Sequence, residues 1–151
     1  MSKPALLLRL AAIVALLECL GHTMLFVRYV PIHGPAETAV VDAMKSHVFN
    51  FGGSPRSYWD LYFGYGLFVS IGSFVEAALL WQLAGLAASG VPRIRPLAGL
   101  VALAELGYTL LIRKYFFATP LFAHVVATVL VTAAFLMLRD KIIEEAPVTN
   151  P

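Results

Sequence analysis

The sequence predicts an all-α membrane protein, a bundle of four transmembrane helices built as two hairpins, with a short amphipathic interfacial helix in the first loop. Three observations predict this fold class. Of the 151 residues, 60% are hydrophobic and only 13% are charged, far from the averages of soluble domains. Four apolar stretches reach the length of about 20 residues that a helix needs to cross the bilayer. Two of these stretches carry similar sequences.

The first predicted span begins close to the N-terminus and has the outline of a signal peptide. Its apolar run continues past Leu17 to Val30 without a small-x-small cleavage site. Glu18 precedes Cys19, where a lipoprotein signal would have Gly or Ala. We therefore expect the segment to be retained as a membrane helix. The predicted spans of the single domain, residues 1–151, are 5–29, 58–88, 97–117 and 120–138.

The links between the spans differ in length. Residues 88–96 are few and rich in helix breakers, which makes spans two and three antiparallel neighbours. Spans three and four are separated by little more than residues 118–120, with Thr119 as the predicted N-cap and Pro120 in the first turn. Residues 30–57 form the one long loop, and long loops are usually structured or functional.

An interfacial helix is predicted within this loop at about residues 36–48. Apolar residues recur near one helical face of residues 39–51, and an irregular polar loop is the alternative. These residues are Val40, Val41, Met44, Val48 and Phe51. A turn is predicted at Gly52 and Gly53. Ser57 followed by Asp60 is the pattern of a capping box at the start of span two.

The charges argue for a membrane and against nucleic acid. The net charge is only +2, and the basic residues lie at the ends of the apolar runs, where they anchor helices to the interface. In the predicted topology, six basic residues lie on the same side of the membrane as the termini and five lie on the other side. The six are Lys3, Arg9, Arg93, Arg95, Arg139 and Lys141, and the five are Arg28, Lys45, Arg56, Arg113 and Lys114. This bias predicts cytoplasmic termini. The one cysteine, Cys19, excludes an internal disulfide.

An internal repeat links the first and third spans. Residues 20–29 align with residues 106–115, with identities at two leucines, a Gly-x-Thr and a terminal tyrosine. Both segments cross the membrane in the same direction in the predicted topology. This predicts two helical hairpins related by a pseudo-two-fold axis along the membrane normal, with chance similarity as the alternative.

Three acids lie inside apolar runs: Glu18, Glu76 and Glu105. An ionised carboxylate costs several kcal/mol at this depth, so such residues face the interior of a bundle or pair with other groups. We therefore expect them to share a polar core. Small residues on span two allow close helix approach, namely Gly64, Gly66, Ser70 and Gly72.

These residues predict the binding of a small hydrophobic or amphipathic molecule. The predicted cavity is lined by Glu18, His22, Tyr62, Tyr65, Glu76, Glu105, Tyr108 and His124. One alternative is an isomerase-like membrane enzyme or proton-coupled transporter, in which these acids transfer protons. Another is a structural or assembly protein in which buried hydrogen bonds hold the helices in register. The partners are then the lipid bilayer and a hydrophobic small molecule, with a homo-oligomer left open.

No metal, cofactor or nucleophile is predicted. Di-iron bundles use Glu-x-x-His on two helices, whereas here Glu18 and His22 are four residues apart and Tyr108 takes the place of a second histidine. No Ser or Cys stands in a nucleophile elbow.

The loop and the start of span two resemble a known family. Met44-Lys45-x-x-x-Phe49 and Arg56-Ser57-Tyr58-Trp59-Asp60-x-Tyr62-x-Gly64-Tyr65-Gly66 are similar to small, uncharacterised bacterial four-helix integral membrane proteins. The resemblance implies a bacterial inner-membrane location and no established activity. A looser similarity, at the level of the fold alone, is to the sterol-isomerase and sigma-2-receptor superfamily, whose bundles hold apolar ligands.

Overall fold

The computed structural model describes residues 2–91 and 94–138, which are helical apart from one β-hairpin. The elements are α1 (Lys3–Val27), α2 (Pro35–Ser46), β1 (Val48–Phe51), β2 (Ser54–Ser57), α3 (Tyr58–Ala88), α4 (Arg95–Tyr115) and α5 (Ala118–Met137). Four of these helices, α1, α3, α4 and α5, are long and apolar enough to cross a membrane. This confirms the predicted all-α fold with four candidate spans. Arg93, Arg139 and Lys141, used in the charge count, lie outside the described residues.

The chain divides into two compact units, to which α1 and α3 each contribute one half. The first unit is Leu17–Phe74, and the second combines Met1–Leu16 with Val75–Pro151. We call them the loop unit and the C-terminal unit. The loop unit contains α2 and the β-hairpin, and the C-terminal unit contains α4 and α5.

The core of the C-terminal unit is built from small residues at helical spacing. Its buried positions include Ala5, Leu8, Ala12 and Ala15 of α1 and Ala77, Leu80, Ala84 and Ala87 of α3. Small side chains let helix backbones approach closely, which is how helices associate in a lipid environment. Within this unit the two helices run in opposite directions, because Ser2 donates a hydrogen bond to the carbonyl of Ala87 (3.4 Å) and the Arg9 guanidinium stacks on Trp81.

The end of α3 is closed by a glycine in the left-handed conformation. Gly90 has φ 70°, and the N–H of Val91 donates to the carbonyl of Leu86 at 3.2 Å. This bond satisfies one of the carbonyls that a helix end leaves without an intrahelical partner. The chain leaves α3 in this turn before α4 begins at Arg95.

The connection between α4 and α5 is shorter than predicted, and its cap is different. Phe117 is extended (φ −116°, ψ 179°) and α5 begins at Ala118. Thr119 therefore lies inside the helix, and the prediction that it is the N-cap is wrong. Thr119 and Pro120 resemble a helix start. The chain direction changes earlier, at the extended residues Phe116 and Phe117.

The loop unit contains a β-hairpin where the sequence predicts the end of a helix. α2 stops at Ser46, so Val48 and Phe51 do not lie on its apolar face and belong to β1. β1 pairs with β2 in antiparallel register, Val48 opposite Ser57 and Phe51 opposite Ser54. Gly52 and Gly53 both have positive φ, 58° and 86°, as a tight two-residue hairpin turn requires. Residues 48–51 therefore pair with β2 in a hairpin and do not extend the helix α2.

The predicted capping box at the start of α3 is confirmed. The N–H of Ser57 donates to Asp60 Oδ2 at 2.8 Å, and the N–H of Asp60 donates to Ser57 Oγ at 3.1 Å. The two bonds satisfy reciprocal donors at the helix start. They also join the last residue of β2 directly to the first turn of α3.

Candidate functional site

The eight predicted site residues divide equally between the two units. Glu18, His22, Tyr62 and Tyr65 belong to the loop unit, and Glu76, Glu105, Tyr108 and His124 belong to the C-terminal unit. We describe each group within its own unit.

In the C-terminal unit, Glu105 and His124 form a buried pair. The Glu105 side chain is 1% exposed and the His124 side chain 12% exposed, and Glu105 Oε2 lies 2.8 Å from His124 Nδ1. The ring of Tyr108 lies 5.6 Å from the imidazole, centroid to centroid. An acid, an imidazole and a tyrosine of the predicted set thus lie together on α4 and α5. A hydrogen bond therefore joins the Glu105 carboxyl group to the His124 imidazole.

A second hydrogen bond joins the same two helices. Thr109 Oγ1 lies 3.0 Å from Thr128 Oγ1, one helical turn after Glu105 and His124 in each helix. At the start of α4 the ring of Phe135 packs against Gly99. The contacts that join α4 to α5 thus include an acid–imidazole pair, a hydroxyl pair and a ring packed on a glycine.

In the loop unit, side-chain hydrogen bonds join α1 to α3. Thr23 donates to Ser70 Oγ at 2.8 Å, and the Cys19 thiol donates to the Ser70 carbonyl at 3.3 Å. His22 Nε2 donates to the carbonyl of Gly66 at 3.1 Å. Cys19 therefore makes a polar contact from α1 to α3.

The ring of Phe26 on α1 packs directly against Gly66 of α3. A Cβ at this position would overlap the ring of Phe26, whereas Gly64 and Gly72 have no such neighbour among the described residues. The predicted close approach of α3 therefore holds at Gly66 and Ser70 and is wrong at Gly64 and Gly72. The Phe26 ring is itself enclosed, with His22 and Phe63 both at 5.3 Å.

The remaining predicted residues have different surroundings. Tyr65 is 71% exposed, and its ring is 6.5 Å from that of Phe68. Glu18 and Glu76 are half-buried in α1 and α3. Tyr62 packs on Phe26 and also lines the cavity of this unit.

That cavity lies between α2, the residue Tyr29 after α1 and the first turns of α3. It has a volume of about 230 Å³, and its surface is mostly apolar. Its lining residues are Tyr29, Glu37, Val40, Val41, Met44, Trp59 and Tyr62. We call it the α2 cavity.

Glu37 fixes the chain around this cavity. Its Oε1 accepts a hydrogen bond from the Tyr29 hydroxyl at 2.6 Å. Its Oε2 accepts from the N–H groups of Ile32 (2.7 Å) and His33 (2.6 Å) and contacts His33 Nδ1 at 3.2 Å. The carboxylate at the start of α2 thus orders the turn that leads into the helix.

These bonds shift the pKa values of both partners. The hydrogen bond to Glu37 raises the pKa of the Tyr29 hydroxyl from 10.0 to about 12. The bonds from Tyr29 and from the His33 backbone lower the pKa of Glu37 from 4.5 to about 2, because they favour its charged form. Glu37 is therefore an anion throughout the physiological pH range.

The aromatic side of the cavity is formed by three neighbouring rings. Trp59 lies 6.0 Å from Tyr29 and 5.5 Å from Tyr62, centroid to centroid. Lys45 Nζ lies 4.6 Å from the centroid of the Trp59 ring, within the range of a cation–π contact.

The α2 cavity has no clear signal in the sequence. Tyr29 and Trp59 look like ordinary interfacial aromatic residues, and Glu37 looks like a loop acid. The available signal was Glu37 in the first turn behind Pro35, because an acid in that position can accept backbone N–H bonds. The convergence of three chain segments on one cavity is a tertiary feature that no periodicity contains.

The four apolar helices and their polar contacts define a helical membrane protein. No family model, curated protein or solved structure matches the chain. Within residues 2–91 and 94–138, no group of three or more His, Cys, Asp or Glu side chains stands close enough together to hold a metal ion.

Proposed function

We propose that this protein binds a small hydrophobic or amphipathic molecule at the bacterial inner membrane. The observation that carries the proposal is the α2 cavity, whose lining combines apolar side chains with aromatic rings and one carboxylate. Such a lining suits a ligand with an apolar part and a polar end. The bacterial location rests on the family resemblance of residues 44–66.

The position of the cavity supports a membrane ligand. Its tryptophan and tyrosines stand next to the ends of α1 and α3, and such rings prefer the level of the lipid headgroups. α2 has 12 residues, fewer than the roughly 20 needed to cross a bilayer. We therefore infer that α2 lies at the membrane interface with its Val41 side chain buried. The cavity would then open to lipid.

The proposed architecture remains two helical hairpins with cytoplasmic termini. Supporting the repeat, the aligned residues Thr23 and Thr109 each hydrogen bond to a hydroxyl on the next membrane helix, Ser70 and Thr128 respectively. The orientation rests on the distribution of Lys and Arg over the loops.

The test is a comparison of two valines that are similarly exposed. Val40 lines the cavity and is 61% exposed, whereas Val48 lies in β1 outside the lining and is 59% exposed. In Val40→Phe the added ring fills part of the cavity. We expect lipid extracts to raise the melting temperature of the parent and of Val48→Phe but not of Val40→Phe. Native mass spectrometry should show a co-purifying molecule in the same two proteins.

Equal stabilisation of all three proteins would refute binding in the α2 cavity. No stabilisation of the parent by any lipid or amphiphile would refute the ligand-binding function itself.

A second candidate function is proton transfer, because Glu105 and His124 form a buried acid–imidazole contact. Such a pair is suited to general acid–base chemistry or to proton-coupled transport. Reconstituted vesicles carrying a pH dye test it. Under this alternative, Glu105→Gln abolishes a proton flux that Thr109→Val leaves intact, and vesicles in which the parent carries no flux refute it.

A further inference from the structure

The lining of the α2 cavity defines the charge of its ligand as well as its polarity. The cavity presents three aromatic rings and one carboxylate, and its other lining residues are Val40, Val41 and Met44. The faces of aromatic rings carry partial negative charge and attract cations within about 6 Å of the ring centre. Both polar features of the lining therefore favour a positive group.

Glu37 contributes a full charge to this lining. Its carboxylate is 21% exposed. It is bonded by the uncharged Tyr29 hydroxyl and two backbone N–H groups, and it contacts the His33 ring at 3.2 Å. These donors hold the anion in place and leave its charge to act on the cavity. An anionic ligand would be repelled by it.

The hydrogen bonds to the Glu37 carboxylate also favour one class of cationic ligand over another. A primary ammonium needs about three hydrogen-bond acceptors for its N–H groups. Both oxygens of Glu37 already accept hydrogen bonds from the protein, so little acceptor capacity is left at the carboxylate. A quaternary ammonium has no N–H group and a tertiary ammonium has only one, and their methyl groups make apolar contacts with rings and aliphatic side chains.

The protein already shows one of these rings in contact with a cation. Lys45 Nζ lies 4.6 Å from the Trp59 centroid, although Lys45 itself does not line the cavity. The volume of about 230 Å³ is below the roughly 300–1,000 Å³ of pockets that enclose whole drug-sized ligands. It suits one headgroup with its chain lying outside.

We propose that the α2 cavity binds a quaternary or tertiary ammonium group, with Tyr29, Trp59 and Tyr62 against its methyl groups and the Glu37 carboxylate balancing its charge. This inference rests on the proposed ligand-binding function and names its ligand class. The group is supplied by a choline-type lipid headgroup or by a water-soluble alkylated amine.

The experiment compares choline with 3,3-dimethylbutanol, a neutral molecule of nearly the same shape. Binding is followed by the fluorescence of Trp59 in a Trp81→Phe background, since the chain has two tryptophans. In neutral maltoside detergent we expect choline to bind at least about tenfold more tightly than the neutral analogue. Equal binding of the two would overturn the ammonium assignment and leave the amphipathic-ligand function standing.

A charge variant with a matched control sharpens the test. Glu37→Gln keeps one acceptor oxygen for Tyr29 and removes the charge, whereas Asp42→Asn removes an exposed charge from the same helix outside the cavity. We expect Glu37→Gln to weaken choline binding by about tenfold and Asp42→Asn to leave it within twofold. Equal effects of the two variants would overturn the role of Glu37.

Nanodiscs distinguish the two sources of the ammonium group. Choline quenching of Trp59 in phosphatidylglycerol discs identifies a soluble ligand. Stabilisation by phosphatidylcholine discs, without an effect of free choline, identifies a lipid headgroup. If neither lipid discs nor either probe changes melting or fluorescence, the proposed function and this inference both fail.

Discussion

The two units join their helices with different chemistry, although residues 20–29 and 106–115 are identical at five aligned positions. In the C-terminal unit, α4 and α5 are linked by a buried acid and imidazole, Glu105 and His124. In the loop unit, Cys19, at the position that aligns with Glu105, makes a neutral thiol–carbonyl contact. The threonine that follows forms a hydroxyl bond in both units. Thr23 and Thr109 thus each form a hydroxyl bond between helices, whereas the position that holds the ionisable Glu105 in α4 holds Cys19 in α1.

The largest expected effect comes from breaking the acid–imidazole pair. Glu105→Leu removes a hydrogen-bond partner from a mostly buried imidazole, and we expect a loss of about 2–4 kcal/mol in the free energy of unfolding. Thermal melting in detergent measures it. Glu105→Gln, which keeps an acceptor, should lose less. A Glu105→Leu/His124→Leu double variant as unstable as the sum of the single variants would contradict the pairing.

The next effect is in the loop unit, at the contact between Gly66 and Phe26. Gly66→Ala places a methyl group where the Phe26 ring lies, and overpacking of this kind costs about 1–3 kcal/mol. Gly64→Ala is the matched control on the same helix and should gain about 0.5–1 kcal/mol from helix propensity. Rescue of Gly66→Ala by Phe26→Leu is expected. Equal melting of the two alanine variants would show that the ring does not occupy this position.

A smaller and equal effect is expected at the two repeated threonines. Thr23→Val and Thr109→Val each remove one hydroxyl bond between helices. Such bonds contribute about 0.6–1.7 kcal/mol in membrane proteins. The melting temperatures of the two variants should fall by similar amounts, with Thr38→Val on α2 as an exposed control. A loss confined to one of them would break the structural equivalence of the repeat.

The smallest effect is the pH dependence of the Tyr29–Glu37 bond, which lies in the loop unit. The folded pKa of Tyr29 is raised from 10.0 to about 12, so its contribution is complete below pH 10 and is lost as the pH rises to 12. The folded pKa of Glu37 is lowered from 4.5 to about 2, so its contribution is lost as the pH falls through that range. Trp59 fluorescence against pH in the Trp81→Phe background measures both. Tyr29→Phe should remove the alkaline transition, and a transition that persists there would assign it to another group.

Composition and apolar run length were enough to predict four membrane helices, because the bilayer sets their length physically. The capping box at Ser57 was equally predictable, since its two bonds are local. The end of α2 was not, because the Gly52–Gly53 turn and strand pairing outweighed the apolar periodicity of residues 39–51.

Within the candidate site, only the placement of residues along one helix was predictable. Glu105 and Tyr108 share a face of α4 by helical spacing, whereas their contact with His124 depends on how α5 packs against α4. Tyr29 and Glu37 meet through a turn whose path depends on hydrogen bonds to backbone N–H groups, which side-chain patterns do not encode.

The β-hairpin also makes the protein convenient for labelling. Cys19 is the chain's one cysteine and is buried. Ser54→Cys would place a second thiol at the hairpin tip, beside Gly53, where loop tips tolerate change. A maleimide that cannot cross membranes would then react at the tip alone, and only when the tip faces the reagent. Labelling of intact cells against inverted vesicles would thereby assign the sidedness of the whole chain from a single sulfur atom.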